Sequence, residues 1–170
     1  MRKSTKRALR RYLIGAAVVL IAIQFARLPK NVSATPWDGR LPERFEAPPE
    51  VQSLLAASCY DCHSDNTRYP WYAEVQPVGW WLNMHVRAGR KHLDFSKFDE
   101  ITVGRAARRL EGIAESVYVG RMPLPAYARL HGEARLTEEQ RRQIADWANT
   151  ISEKFMAEAE RTGATPPPGH

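Results

Sequence analysis

The chain holds only two cysteines, and both fall within the five residues Cys59-Tyr60-Asp61-Cys62-His63. No other stretch constrains the fold as strongly. Two thiols with two residues between them can add across the two vinyl groups of a haem, giving two thioether bonds, and the next residue is a histidine that can ligate the iron from below. A chain that does this must hold both thiols and the imidazole on one short, rigid segment facing a cavity large enough for a macrocycle.

Rival uses of the same residues predict different surroundings. A redox-active Cys-x-x-Cys belongs in a βαβ setting, and no convincing strand pattern is present. A zinc site needs two further Cys or His ligands at close spacing, and there is no second cysteine pair. A chance five-residue match is the remaining competitor, and the export signal at the amino terminus weighs against it.

The formal charge of +6 invites a nucleic-acid reading, but its distribution does not support one. Residues 1–28 carry seven basic residues and no acid, leaving 18 basic against 19 acidic residues in the remainder. The excess belongs to one end and not to a binding face, so no nucleic-acid partner is expected. Six basic residues precede Tyr12–Leu28, a 17-residue stretch interrupted only by Gln24 and Arg27. This pattern predicts a single membrane-spanning helix at the lower length limit. The basic flank stays cytoplasmic, which puts the rest of the chain outside. Cleavage as a signal peptide near Val32-Ser33-Ala34 is the rival reading. Either way the domain is exported, and the expected location is the extracytoplasmic face of the inner membrane.

Beyond this segment, prolines at 29, 36, 42, 48 and 49 predict an extended stretch over residues 29–48, either a tether or a strap packed on the domain, two readings the sequence does not separate. Residues 49–160 carry helical patterning and no alternating strands. Val51, Leu54, Leu55 and Ser58 share a helix face that delivers Cys62 and His63 at its carboxyl end. A short helix is expected over 78–88, stopped by Gly89. A third has Leu110, Ile113 and Val117 on one face and ends at Gly120. The last begins at a Thr137-x-x-Gln140 capping box, presents Ile144, Trp147, Ala148, Ile151 and Phe155, and is expected to pack on the helix bearing Val51 and Leu55. Between them, Tyr69–Trp81 holds three of the five tryptophans, read as core and as flat walls for the macrocycle. A carbonyl near Pro70 or Pro77 is the expected acceptor for the second ring N–H of His63. Residues 161–170, with three consecutive prolines, read as a disordered tail.

The far side of the iron decides the chemistry. Met84, His85, His92, Met122 and His131 are the available side chains. Met122 sits in a proline-stiffened turn, Gly120-Arg121-Met122-Pro123, and is the expected sixth ligand; Met/His ligation raises the reduction potential and suits an electron carrier. His85 is the alternative and would give a bis-histidine site. His92 and His131 read as solvated. Arg87, Arg90 and Lys91 are candidate partners for the haem propionates.

Several stretches together resemble the small haem-binding domain family of bacterial c-type cytochromes. They are Ser58-Cys59-Tyr60-Asp61-Cys62-His63-Ser64, Tyr69-Pro70-Trp71-Tyr72, Pro77-Val78-Gly79-Trp80-Trp81-Leu82, His85-Val86-Arg87-Ala88-Gly89-Arg90, Gly120-Arg121-Met122-Pro123-Leu124 and Tyr127 to His131. The likeness covers roughly residues 48–150. It implies an all-α, cytochrome c-like domain around one covalent haem c per chain, transferring electrons to a redox partner it does not name. On this reading the protein is a carrier and not an enzyme. A haem-based sensor or gas-binding module with an open sixth position is the competing function, and a peroxidase-like site using His85 and Arg87 ranks below both.

Overall fold

The computed structural model describes residues 3–163, with side chains from residue 5 onward. Seven α-helices are found among the described residues: α1 (Lys3–Ile23), α2 (Pro49–Ser58), α3 (Tyr60–His63), α4 (Val78–His92), α5 (Val103–Tyr118), α6 (Pro125–Leu130) and α7 (Glu138–Thr162). Short 3₁₀ turns join them, and the described residues contain no strand, only an isolated bridge between Val32 and Asn66. The all-helical expectation holds. Residues 164–170, most of the expected disordered tail, lie outside the described residues.

The expected membrane-spanning helix over 12–28 is corrected. No helix among the described residues is long and apolar enough to cross a membrane. Helix α1 spends its first residues on Lys3, Lys6, Arg7, Arg10 and Arg11, and it stops at Ile23. The apolar run Tyr12–Ile23 is therefore about 18 Å long at ~1.5 Å per residue, against a hydrocarbon core of about 30 Å. Gln24 ends it. Its amide Nε2 donates to the Leu20 carbonyl at 2.8 Å and to Gln76 O at 3.1 Å, while the Gln76 N–H donates to its Oε1 at 2.9 Å. These bonds fasten the end of α1 to the segment around Gln76.

Residues 29–48 do not hang free as a spacer. Asn31 donates to the Ser64 carbonyl at 2.9 Å and to Thr67 Oγ1 at 2.8 Å, Trp37 meets Tyr60 edge-on, and Leu41 and Phe45 are buried. The stretch is extended, as its prolines require, and it straps the domain.

Helix α7 starts as its sequence predicts. Gln140 N–H donates to Thr137 Oγ1 at 3.2 Å and Thr137 N–H donates to Gln140 Oε1 at 2.8 Å, satisfying two otherwise orphaned donors. Ile144, Trp147, Ala148, Ile151 and Phe155 are all buried. Their main partner is α5, however, with α2 a smaller one. The α5 face of Ala106, Ala107, Leu110, Ile113 and Val117 is long and apolar enough to line α7, whereas α2 has only ten residues. Phe45, Phe95, Phe98 and Phe155 complete the core through ring contacts near 5 Å.

Candidate haem site

The attachment segment is a break followed by a single turn. Pro49 starts α2 at its first helical position, where a missing N–H costs nothing. The helix stops at Cys59, whose backbone (φ −125°, ψ −42°) leaves the helical region. One new turn, α3, then closes with the Cys62 and His63 N–H groups donating to the Cys59 carbonyl at 3.1 and 3.0 Å. The expected single helix is thus two, and the break turns Cys59, Cys62 and His63 towards the same cavity.

That cavity has a volume of about 440 Å³ and is lined by Cys59, Cys62, His63, His85, Met122 and Tyr127, with apolar side chains between them. It falls in the ~300–1,000 Å³ range of ligand sites. His63 Nδ1 lies 3.0 Å from the Leu93 carbonyl. A carbonyl can only accept, so Nδ1 carries the proton and Nε2 keeps its lone pair. Burial lowers the His63 pKa below its ordinary value, more than the carbonyl bond and Asp94 raise it. The ring is therefore neutral and competent as a ligand near pH 7. The acceptor is not near Pro70 or Pro77 as expected but follows α4. Burial pushes both thiols up to about 11, so neither is the low-pKa thiolate a redox disulfide site requires.

Gly89 explains how α4 reaches this segment. The helix does not stop there but continues to His92. A Cβ at Gly89 would sit 2.7 Å from the Cys62 carbonyl oxygen and 3.4 Å from His63 Cε1. The glycine marks a close helix approach, not a helix end.

Across the cavity, Gly120 (φ +75°) reverses the chain after α5. Met122 follows on a strap held at both ends of its peptide unit. Its N–H donates to the Ser116 carbonyl at 3.0 Å, and its carbonyl accepts from Arg141 Nη1 at 2.7 Å. The same guanidinium nitrogen bonds Val117 O at 3.1 Å, tying the strap to α7. His85 also lines the cavity. Its Nδ1 lies 2.9 Å from the Trp81 carbonyl, which directs Nε2 to be the nitrogen that could ligate. Met84 is 60% exposed and lies outside the cavity. His92, expected to be solvated, is exposed and borders the cavity at the end of α4. His131, expected to be solvated too, is stacked on Tyr127 at 4.2 Å and hydrogen-bonded to Tyr72 at 2.7 Å.

The tryptophan-wall expectation is also corrected, because no tryptophan lines the cavity. Trp80 Nε1 donates to the Ala26 carbonyl at 2.6 Å, so it holds the segment just after α1, while Trp71 is 79% exposed and Trp81 45%.

Sequence reasoning missed Asp61 and Tyr127. Asp61 is buried and accepts from Arg68 N–H, Nε and Nη2 at 3.1, 3.0 and 3.1 Å and from Tyr127 Oη at 2.8 Å. It joins the attachment turn to α6, directly after the Met122 strap. A carboxylate inside the Cys-x-x-Cys segment, with an arginine seven residues on, was the available signal.

The decisive likeness is at the level of the whole domain: a family model described as the haem-binding domain matches residues 18–150. This chain belongs to the haem-binding domain family. No curated protein and no solved structure gives a match. Haem binding is therefore the established property, and the cavity fits it: apolar walls, an orientated imidazole nitrogen and two thiols on one turn. The residues that line the cavity come from the segment 59–63, from α4 and α5, and from the Met122 strap.

Proposed function

We propose that the protein is a monohaem electron carrier of c type, with Cys59 and Cys62 forming the thioethers, His63 the proximal ligand and Met122 the sixth ligand. One observation carries this reading: the neutral His63 imidazole and the strap-held Met122 line one apolar cavity that both thiols also face. Haem in such a site supplies a one-electron ferric–ferrous couple, and thioether ligation favours a high potential. The protein's part is to keep both ligands still. Leu93, Gly89 and the α3 turn hold one; Ser116 and Arg141 hold the other. A filled coordination sphere on rigid supports suits transfer of electrons to a partner protein and leaves no open position for a substrate, so we infer a carrier and not an enzyme.

A cytochrome c-like arrangement is part of the same proposal, as is export. The basic-then-apolar order of α1, with its apolar side chains exposed from Tyr12 to Ile21, supports delivery to the extracytoplasmic face of the inner membrane and association with it. Fractionation of a bacterial host expressing the full chain with haem-maturation machinery checks this: haem-stained protein is expected in the membrane fraction and digestible in intact spheroplasts.

Resonance Raman and magnetic circular dichroism of the haem-loaded protein test the ligation. Six-coordinate, low-spin iron with the thioether charge-transfer band is expected. A bis-histidine spectrum moves the sixth ligand to His85, which lines the same cavity. A five-coordinate spectrum with rapid carbon monoxide binding replaces the carrier with a gas-binding module.

A further inference from the structure

Helix α5 presents an unusual strip to the cavity. Arg108 and Arg109 stand one turn before Gly112, and Ser116 stands one turn after it; all four line the cavity. A Cβ on Gly112 would meet nothing within 4 Å. The helix backbone is therefore bare at the middle of the strip, where a flat molecule can lie against it, and cationic at one end.

Neither Arg108 nor Arg109 makes a hydrogen bond or ion pair among the described residues, although Arg108 is half-buried. Three arginines near the cavity walls are held by protein partners, whereas exposed ones such as Arg87 and Arg105 are not. Arg68 is held by Asp61, Arg90 by Asp94 and Asn31, and Arg141 by two carbonyls. No Asp or Glu lines the cavity; its other titratable side chains are Cys59, Cys62, Tyr127 and the histidines 63, 85 and 92. A guanidinium partly removed from water without an anion is costly, and a carboxylate is its best complement because the fork can bond both oxygens.

We propose that Arg108 and Arg109 bind the two propionate carboxylates of the haem, so that α5 anchors the acidic edge of the macrocycle while Cys59 and Cys62 hold its vinyl edge. This rests on the haem reading above and goes beyond it by assigning the anchor of the acidic edge. It also replaces Arg87, Arg90 and Lys91 in that role. Arg90 is engaged by Asp94 and Asn31, while Arg87 and Lys91 are exposed and do not line the cavity.

The propionate-bending band in the resonance Raman spectrum of the full-length, haem-loaded protein tests the assignment, because its frequency follows hydrogen bonding to those carboxylates. Arg108→Leu combined with Arg109→Leu is expected to shift that band to lower frequency. Arg108→Lys alone is expected to shift it less. Arg105→Leu, an exposed arginine on the same helix outside the cavity, leaves it in place. An unchanged band in the double variant overturns the proposal, as does an equal shift in Arg105→Leu. If the double variant loads no haem, Arg108→Gln gives the same reading with the helix length and polarity kept. Wild-type protein that takes up no haem fails the functional reading instead, so the two failures are distinguishable.

Discussion

The two sides of the cavity are built by different means. The side carrying His63 is local: both thiols and the imidazole lie within five residues, on one turn, and α4 seals that turn through Gly89 and the Leu93 carbonyl. The side carrying Met122 is assembled at long range. Its strap leaves α5 at Gly120, is fastened by Arg141 from α7, and runs into α6, which Tyr127 ties back to Asp61. A second candidate, His85, arrives from α4. A local site has one solution because the covalent chain enforces it. A site assembled from distant elements holds only as well as its fastenings do.

This contrast can be broken from either side. The largest effect is expected from Cys59→Ser with Cys62→Ser, which leaves no covalent bond; haem staining after denaturing electrophoresis is expected to vanish while the full-length chain is still expressed. Next is Met122→Ala. Loss of the thioether charge-transfer band and a lower potential are expected, with covalent haem retained, so that spectroelectrochemistry separates the two sides cleanly. Retention of the wild-type band would transfer the role to another side chain.

Gly89→Ala tests how tightly α4 closes on the local side. A methyl group 2.7 Å from the Cys62 carbonyl forces the helices apart, at a cost of about 1–3 kcal/mol. Thermal unfolding of the haem-loaded protein is expected to show it as a lower Tm, whereas Gly112→Ala, with open space around it, does not lower stability through a protein clash. Tyr127→Phe loosens the long-range side by removing one donor to the buried Asp61, at about 1–2 kcal/mol. Arg68 remains as a partner, so the drop in Tm is smaller than for Gly89→Ala and the potential becomes more variable with temperature.

The smallest effect is electrostatic. The folded haem-free protein holds His63 below its ordinary pKa of 6.5, so the unfolded chain binds more protons at low pH. Stability linked to this histidine is fully present above about pH 6.5 and is lost as pH falls through and below that value. Chemical denaturation of the haem-free protein between pH 7.5 and 5.5 checks the sign. His63→Gln is expected to flatten that slope.

Local signals in the sequence survived well. The Thr137–Gln140 box starts α7 where it was read, because capping depends on residues three apart. The Cys-x-x-Cys-His turn and the Met122 strap are legible for the same reason. Signals that depend on a partner element were misread. Gly89 resembles a helix stop until the Cys62 carbonyl comes within reach of its missing Cβ. Trp71, Trp80 and Trp81 look like cavity walls, yet Trp80 bonds the Ala26 carbonyl and the other two stay exposed. The apolar run after Arg11 reads as 17 residues only until Gln24 finds Gln76.

By itself, then, the sequence determined that the chain is helical and where its two thiols and the His63 imidazole lie, since spacing along a chain is conserved by covalent bonds and helical periodicity. Only the tertiary structure decided which carbonyl orientates His63, which arginines face the cavity and how the Met122 strap is held. Those depend on which helix faces which, and that is settled by the packing of α5 against α7 and of α4 on the attachment turn, between residues far apart in the chain.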